Sequence, residues 1–503
     1  MQRIFIAATP GLCRGVRNPN THMFALVLFV ACYFRTAVAM QNVTLEKYDA
    51  EVLILGAGAT GIAAARTFHE HGLEDFLILE GSTRVGGRVK EVEFGGKVLE
   101  LGANWVQPGD PRVNPVVALA KKYGLKGKVS DWESRMVRNA SGNDISKEGT
   151  AREKDLDKAM DFSHKLAWEL LRDNKSDISL RAALRLGGWN PKTPLDKILE
   201  YLHVDFEYGD IPYVTSLKSS AAVNNGKAFF VTDQRGFSYI LKAVVDEFIK
   251  EGDPRLKFGK VVTHVKWNDR GVEVRCHDGT TYRAPFALLT FSIGVLQNGV
   301  VKFEPPMPAW KRLEIEQFDM ALYTKIFLKF PNGTKRFWDD NEFILHAHPR
   351  RGFYPVWQNL EARGLFDEGT NILLVTVTGE ESRRLEYESD DFIKTEVMRV
   401  LRHLYGNHIP NAEDITLHRW SQDPLFFGAY SNWPVEVSTE HHKRLQANLG
   451  RLYFGGEATD PEWNGYVEAG LFSGRREALK ILKCRKKDCE IYEPKDCGKG
   501  DCG

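Results

Sequence analysis

An excess of charge of either sign is missing from this chain: 68 Lys plus Arg stand against 67 Asp plus Glu over 503 residues. Such a balance gives no general attraction to nucleic acid or to an anionic membrane surface, so any selection by charge must be local. Long apolar runs are also scarce. The greasy stretch from Met23 to Phe34 falls short of the roughly 18–20 residues that a membrane-crossing helix needs. Cysteine is sparse, with 7 in all, and Cys484, Cys489, Cys497 and Cys502 crowd into the end of the chain. Cys276 lies in a strand-like run and reads as a buried thiol. There is no internal repeat and no long low-complexity linker, which excludes a repeat array and leaves domains built from discontinuous segments.

What is present is ordinary for a packed protein: 43% hydrophobic and 27% charged residues. The length exceeds what one compact core supports, so two or more interleaved domains are expected. The leader differs from the body. Arg3, Arg14 and Arg17 precede the apolar run, and Ala37-Val38-Ala39 comes after it, the order of a secretory signal cleaved near Ala39. An uncleaved anchor, or a start at Met23, is the competing reading. Sequons at Asn42, Asn139, Asn174 and Asn332 agree with export, although such triplets also arise by chance. The tail is too polar to form a core, so its four cysteines are expected to form disulfides, in a connectivity that sequence does not fix. A zinc site is the rival, but it normally uses closer Cys pairs than these.

Along the body, EVLIL at 51–55 ends at glycine, a small-residue helix runs from Gly58 to His71, and FLILE at 76–80 ends in an acid. Strand, glycine turn, helix and strand make the βαβ unit of a dinucleotide-binding domain. Residues 153–202 carry helical periodicity and read as an inserted helical region. Alternating β-branched residues return from Arg255 to Leu296, with a turn at His277-Asp278-Gly279. TKIFLKF at 324–330 and NILLVTVTG at 371–379 predict strands ahead of a helix near 390–405, and RLYFGGEAT at 451–459 predicts strand, glycines and helix. The expected class is α/β, a Rossmann-like cofactor domain interleaved with a mixed α+β substrate domain. The expected boundaries are a leader at 1–39, cofactor-domain segments at 48–112, 232–310 and 415–483, substrate-domain segments at 113–231 (helical) and 311–414, and a Cys-rich tail at 484–503.

Gly56, Gly58 and Gly61 form G-x-G-x-x-G between strand and helix. There, backbone N–H groups and the helix dipole can receive a pyrophosphate. Alone the pattern is weak. Glu80, at the end of the next strand, supplies the carboxylate that accepts ribose hydroxyls, and the combination points to a dinucleotide. NAD and FAD share this unit, so the choice between them rests on the residues beyond Glu80. The segments GAGATG, GGR, LELGANW, YTKIFLKFP, SNWP, YFGGEAT and WNGYVEAG together resemble the flavin-containing amine oxidases, and most closely their plant-type polyamine oxidases. The resemblance runs from about residue 48 to about residue 483.

For the cofactor, the resemblance implies FAD. Gly87 and Arg88 would meet its pyrophosphate, and Glu457 would look toward the pyrophosphate and ribityl region, with helix capping as the alternative. Gly102, Ala103, Asn104 and Trp105 would line the flavin ring. Val262 would serve the adenine end through its backbone, and Trp420 is assigned to the cofactor site on the same ground. Ala429 stands where the monoamine oxidases carry a flavin-linking cysteine, which implies noncovalent FAD.

For the substrate, the same resemblance makes Tyr430 and Tyr466 two aromatic walls that hold an amine over flavin N5. Aromatic faces attract a cation by about 0.5–2 kcal/mol each. Core packing with a bonded hydroxyl is the commoner fate of a tyrosine. Lys325 alternates with apolar residues and should point inward, where a bare ammonium is costly. In the family this lysine holds a water at N5, for imine hydrolysis or for reoxidation by oxygen. Tyr323 shares its face by period-two alternation. Glu207 and Tyr208 match the family's tunnel carboxylate and its aromatic neighbour, while Asp205 and Asp210 read as solvated surface acids. The chain departs from the family at Gln107, where plant-type members carry a glutamate, and at Glu468, where histidine is common.

The activity so implied is oxidation of an amine, with spermine, spermidine or an acetylated derivative as the implied substrate. Hydride passes to flavin N5, the imine is hydrolysed to an aldehyde and an amine, and O2 becomes H2O2. No metal, nucleic acid or stable membrane span in the mature chain is expected. Secretion to the exterior, the cell wall or the secretory lumen is. An L-amino-acid oxidase is the nearest rival and would need an arginine to clamp a carboxylate. A monoamine oxidase is a lesser one, since it would carry the flavin-linking cysteine and a C-terminal membrane helix. A catalytically silent flavin-fold binding protein belongs to a different class, and retention of Lys325, Tyr430 and Tyr466 speaks against it.

Overall fold

A computed structural model describes residues 48–220, 227–486, 489 and 492. The leader at 1–39, the Asn42 sequon, Cys497 and Cys502 lie outside the described residues.

The cofactor-type sheet has five strands, all parallel, in the order Leu452–Phe454, Phe286–Leu289, Val52–Leu55, Phe76–Leu79 and Leu256–Lys257. VLIL and FALL are buried throughout, as parallel strands covered on both faces require. Ala59–Glu70 is the crossover helix. Val467–Cys484 lies close against it, because a Cβ on Gly474 would stand only 2.1 Å from the Thr60 carbonyl oxygen. Cys484 and Cys489 form a disulfide at the end of that helix, and Cys276 is a buried free thiol. RLYFGGEAT departs from expectation. Only a single 3-10 turn, Glu457–Thr459, comes after the glycines, and the helix starts at Val467.

A second sheet has the order Asp414–Thr416, Tyr323–Lys329, Ile372–Thr378, Val356–Asn359, Phe343–Ala347 and Arg135–Asn139. Its strand Tyr323–Lys329 is buried along its whole length. Ile326 and Leu328 pack with Ile393, Val397 and Leu401 of helix Asp390–Tyr405. Tyr323 and Phe327 belong to other clusters, with Phe206 and with Trp420 respectively, so the period of two separates a helix-packed face from a face toward the site. A third sheet pairs Val262–Trp267, Val272–Cys276 and Thr281–Ala284 around the expected turn.

The inserted region is helical: Ser146–Arg172, Leu180–Leu186, Pro194–His203 and the short Asp205–Tyr208. Thr193 and Asp196 form a capping box at the start of the third. Asp205 corrects its reading as a surface acid. It is 2% exposed and takes two hydrogen bonds from Arg351, at 2.9 and 2.6 Å. Arg351 also reaches buried Glu200 at 2.8 Å, and Arg181 and Trp189 bond to the same Glu200. The sequence conceals this burial, because an acid beside Glu207 looks like part of a polar loop. Three donors on neighbouring elements answer part of the loss of water around the two carboxylates, and burial still pushes Asp205 up to about 6. The helix that carries Glu207 and Tyr208 is thereby fixed to the second sheet.

Candidate active site

One continuous cavity of about 1210 Å³ joins the two sheets and the helical region. At one end it is lined by backbone. Gly56 has φ +119°, and Gly58 faces Gly87 so closely that a Cβ on Gly87 would stand 3.3 Å from the Gly58 Cα. The two glycine turns thus form a bare cradle that any side chain would fill. Glu80, 7% exposed, accepts from the Ala57 amide at 2.7 Å and from the Ser82 amide and hydroxyl at 2.8 and 2.6 Å. Val262 lines this end as well. Gly61 does not line the cavity. Its Cβ would fall 1.9 Å from the Gly56 carbonyl oxygen, so this glycine lets the helix close on the turn and leaves pyrophosphate contact to its neighbours.

Midway, Arg88 donates to Glu457 at 2.8 Å and to the Ala429 carbonyl at 3.2 Å. Glu457 also accepts from the Ser431 amide at 3.1 Å, the Ser431 hydroxyl at 2.5 Å and the Gly465 amide at 2.9 Å. Its oxygens are therefore held by protein, and it acts on the cavity by anchoring Arg88 and the loop before Tyr466. Gly102, Ala103, Asn104, Trp105 and Trp420 line the next stretch.

Lys325 is 3% exposed and enters here. Its ammonium donates to the Gly102 carbonyl at 2.5 Å, the Glu100 carbonyl at 3.3 Å and the Asn104 side-chain oxygen. Burial pulls its pKa down to about 7, opposed by the Glu100 carboxylate. The lysine is poised to change charge near neutrality.

At the far end, both tyrosine hydroxyls converge on one residue. Tyr466 donates to Glu207 Oε1 at 2.6 Å and Tyr430 donates to the Glu207 carbonyl at 3.0 Å. Glu207 has accessible surface that opens into the cavity, yet withdrawal from bulk water pushes its carboxyl up, against the Tyr466 bond. The withdrawal prevails because the cavity walls surround the group. Tyr323 stacks at a tilt on Tyr430, with centroids 6.0 Å apart, and Tyr208 packs on Trp433 at 6.0 Å. Glu468 is 2% exposed, accepts from Asn114 Nδ2 at 3.0 Å, and is pushed up to about 7 by burial. The same Asn114 amide reaches the Gln107 carbonyl at 3.3 Å, so Gln107 and Glu468 sit on either side of one bridge.

Sequence reading misses three contributors. Phe206 packs edge-on to Tyr323, Trp105 and Trp132. Its place beside Glu207 is the available signal. Asn114 is an N-cap before Pro115, a local role that conceals its reach. Arg351 is distant in sequence and leaves no signal.

A parallel-sheet dinucleotide domain whose glycine cradle opens into an aromatic chamber with a buried lysine defines a flavoprotein oxidase. The model of the flavin containing amine oxidoreductases matches residues 59–482. The chain is 36% identical to polyamine oxidase 1 of Zea mays over 93% of its own length and 98% of that protein. It is 37% identical to polyamine oxidase 7 of Oryza sativa subsp. japonica, over 89% and 98%. Putrescine oxidase bound to putrescine shares the fold, with a TM-score of 0.68 at 18% identity, covering 86% of this chain and 99% of that one. The chain belongs to the flavin containing amine oxidoreductases, close to the plant polyamine oxidases. It is an FAD-dependent amine oxidase. The cradle of bare glycines and the volume of the cavity fit that cofactor.

Proposed function

We propose that the enzyme oxidises a polyamine, such as spermine, spermidine or an acetylated derivative, held between Tyr430 and Tyr466. The observation that carries this reading is the convergence of both tyrosine hydroxyls on Glu207, with Glu468, Glu133, Asp157 and Asp161 lining the same cavity. A substrate with several ammonium groups matches carboxyls spaced along a channel. The cavity-lining arginines, among the described residues, are Arg88 and Arg135, and both are paired with glutamates. Neither offers a free fork for an amino-acid carboxylate, which disfavours the L-amino-acid oxidase reading.

FAD, which the glycine cradle and Arg88 would hold noncovalently past Ala429, would supply the acceptor for hydride from the carbon beside the amine nitrogen and the means of reducing O2. The net reaction converts the amine, O2 and H2O to an aldehyde, a smaller amine and H2O2. The protein orients and excludes water. Tyr430 and Tyr466 flank the reacting nitrogen, and Glu207 and Glu468 draw the remote ammonium groups. Lys325, whose three N–H donors are taken by the Gly102 and Glu100 carbonyls and the Asn104 side chain, places positive charge where oxygen is reduced. Burial keeps the Tyr323, Tyr430 and Tyr466 phenols neutral at working pH.

Export is part of the proposal. The leader pattern, the sequons and the Cys484–Cys489 disulfide support an oxidising compartment. No helix among the described residues is long and apolar enough to cross a membrane.

Anaerobic bleaching of the flavin absorbance by spermine, spermidine, N-acetylated polyamines, a monoamine and an L-amino acid in turn tests the substrate. Fast bleaching by polyamines alone is expected. Bleaching only by the amino acid would sink the assignment, and an inert flavin would point to a binding protein.

A further inference from the structure

Arg84 does not line the cavity, yet its guanidinium is committed to the turn that does. Nη1 donates to the Val85 carbonyl at 3.0 Å and to the Val89 carbonyl at 2.9 Å, and Nη2 donates to the Gly87 carbonyl at 2.6 Å. Burial pulls the guanidinium's pKa down, against the charges of Glu91, Glu80 and Glu100. Three carbonyls of one loop replace part of the water it gives up. The turn reaches them only through its glycines. Gly86 and Gly87 take φ +110° and +58°, and a Cβ on Gly86 would meet the Val89 carbonyl oxygen at 2.9 Å and Arg84 Nη1 at 3.2 Å. The backbone of Arg84 is fixed as well. Its amide donates to the Ser82 hydroxyl at 3.3 Å, and that hydroxyl stands 2.6 Å from Glu80 Oε1.

A trans peptide points its C=O and its N–H in opposite directions. Capture of the Val85 carbonyl therefore sends the Gly86 N–H the other way, where it donates to the Ala57 carbonyl at 2.9 Å. Capture of the Gly87 carbonyl does the same to the Arg88 N–H, which leaves on the side away from Arg84, where Gly87 and Arg88 line the cavity. Among the described residues no protein group accepts from that amide. We propose that Arg84 is the positioning residue of the FAD cradle: by drawing the carbonyls of Val85, Gly87 and Val89 behind the turn, it presents the Arg88 amide to the FAD pyrophosphate. The guanidinium also polarises the Gly87–Arg88 peptide, which strengthens the donor. A planar fork with several N–H groups holds three carbonyls at fixed angles, and an ammonium on a flexible stem does not. Arg88 then has two separate tasks, a side chain that pairs with Glu457 and an amide that would meet the anion.

Nothing in this role depends on which amine is oxidised. FAD-loaded wild type, R84K and R84A test it through two readings: the free-flavin fluorescence released on dilution, and the phosphorus NMR lines of the bound pyrophosphate. R84K keeps the charge and loses the fork, so its dissociation constant for FAD should rise about a hundredfold, and its phosphorus lines should move. Methylguanidinium added to R84A should restore retention of FAD, and methylammonium at the same concentration should not. Wild-type retention in R84K, or equal rescue by the two cations, would overturn the proposal, because charge alone would then suffice. Weaker retention with unmoved phosphorus lines would overturn it too, since the arginine would then only stabilise the fold. If R84A yields no folded protein, R84K decides by retention and phosphorus lines together.

Discussion

The two ends of the cavity are made differently. The cofactor end is mostly backbone: Gly56, Gly58 and Gly87 form a cradle whose shape comes from the side chains that are absent. The substrate end is side chain throughout, with Tyr323, Tyr430, Tyr466, Glu207 and Glu468 brought in from separate elements. A backbone site tolerates no added atom. A side-chain site tolerates loss of one group, because the rest of the wall remains. Substitutions at the first end should weaken or abolish cofactor binding, and those at the second should alter substrate handling with FAD in place.

The largest effect is expected at Gly61. An added Cβ must displace the Gly56 carbonyl, so Gly61→Ala should yield protein without flavin absorbance, whereas Gly58→Ala, whose Cβ would meet only the Gly87 Cα at 4.0 Å, should still fold and bind FAD weakly. Overpacking of this kind costs about 1–3 kcal/mol, and two colourless but folded variants would break the distinction between packing and contact. Next comes Arg88→Ala, which leaves Glu457 largely buried with its ion pair lost. A loss of about 3 kcal/mol is expected, read as about a hundredfold weaker FAD retention on dialysis. Retention unchanged from wild type would show that the glycines alone hold the cofactor.

At the substrate end, Tyr466→Phe removes the hydrogen bond to Glu207. A cost of about 1–2 kcal/mol should appear as a KM for polyamine raised about tenfold with FAD content intact. Loss of FAD instead would join the two ends functionally. The smallest effect belongs to Glu468, which burial pushes up to about 7. Below that value it is neutral and above it anionic, so cation binding should tighten as pH rises through 7. In Glu468→Gln that part of the KM profile should flatten, while a profile identical to wild type would remove Glu468 from the channel's electrostatics.

Much of the fold is legible in the sequence because its signals are local. VLIL, the glycine turn and FLIL lie within one stretch, and the strand-turn-strand around Asp278-Gly279 announces itself by alternation. The substrate chamber is legible only through resemblance, since nothing near Tyr430 or Tyr466 in sequence distinguishes a cavity wall from a packed tyrosine. The errors fall along the same division. Asp205 reads as solvated because Arg351 lies far along the chain, and Gly61 groups with its neighbours although its partner is the Gly56 carbonyl. Asn114 carries only a cap signature, and its bond to Glu468 depends on tertiary packing.

The parallel sheet draws adjacent strands from residues 52–55, 286–289 and 452–454. During synthesis the glycine cradle therefore emerges from the ribosome long before the strand and the helix that complete its wall. Contacts so remote in sequence form slowly and leave apolar edges waiting. The helix Val467–Cys484, which packs on Ala59–Glu70 and contributes Val467, Glu468 and Gly470 to the cavity, is therefore the part of the wall that is synthesised late.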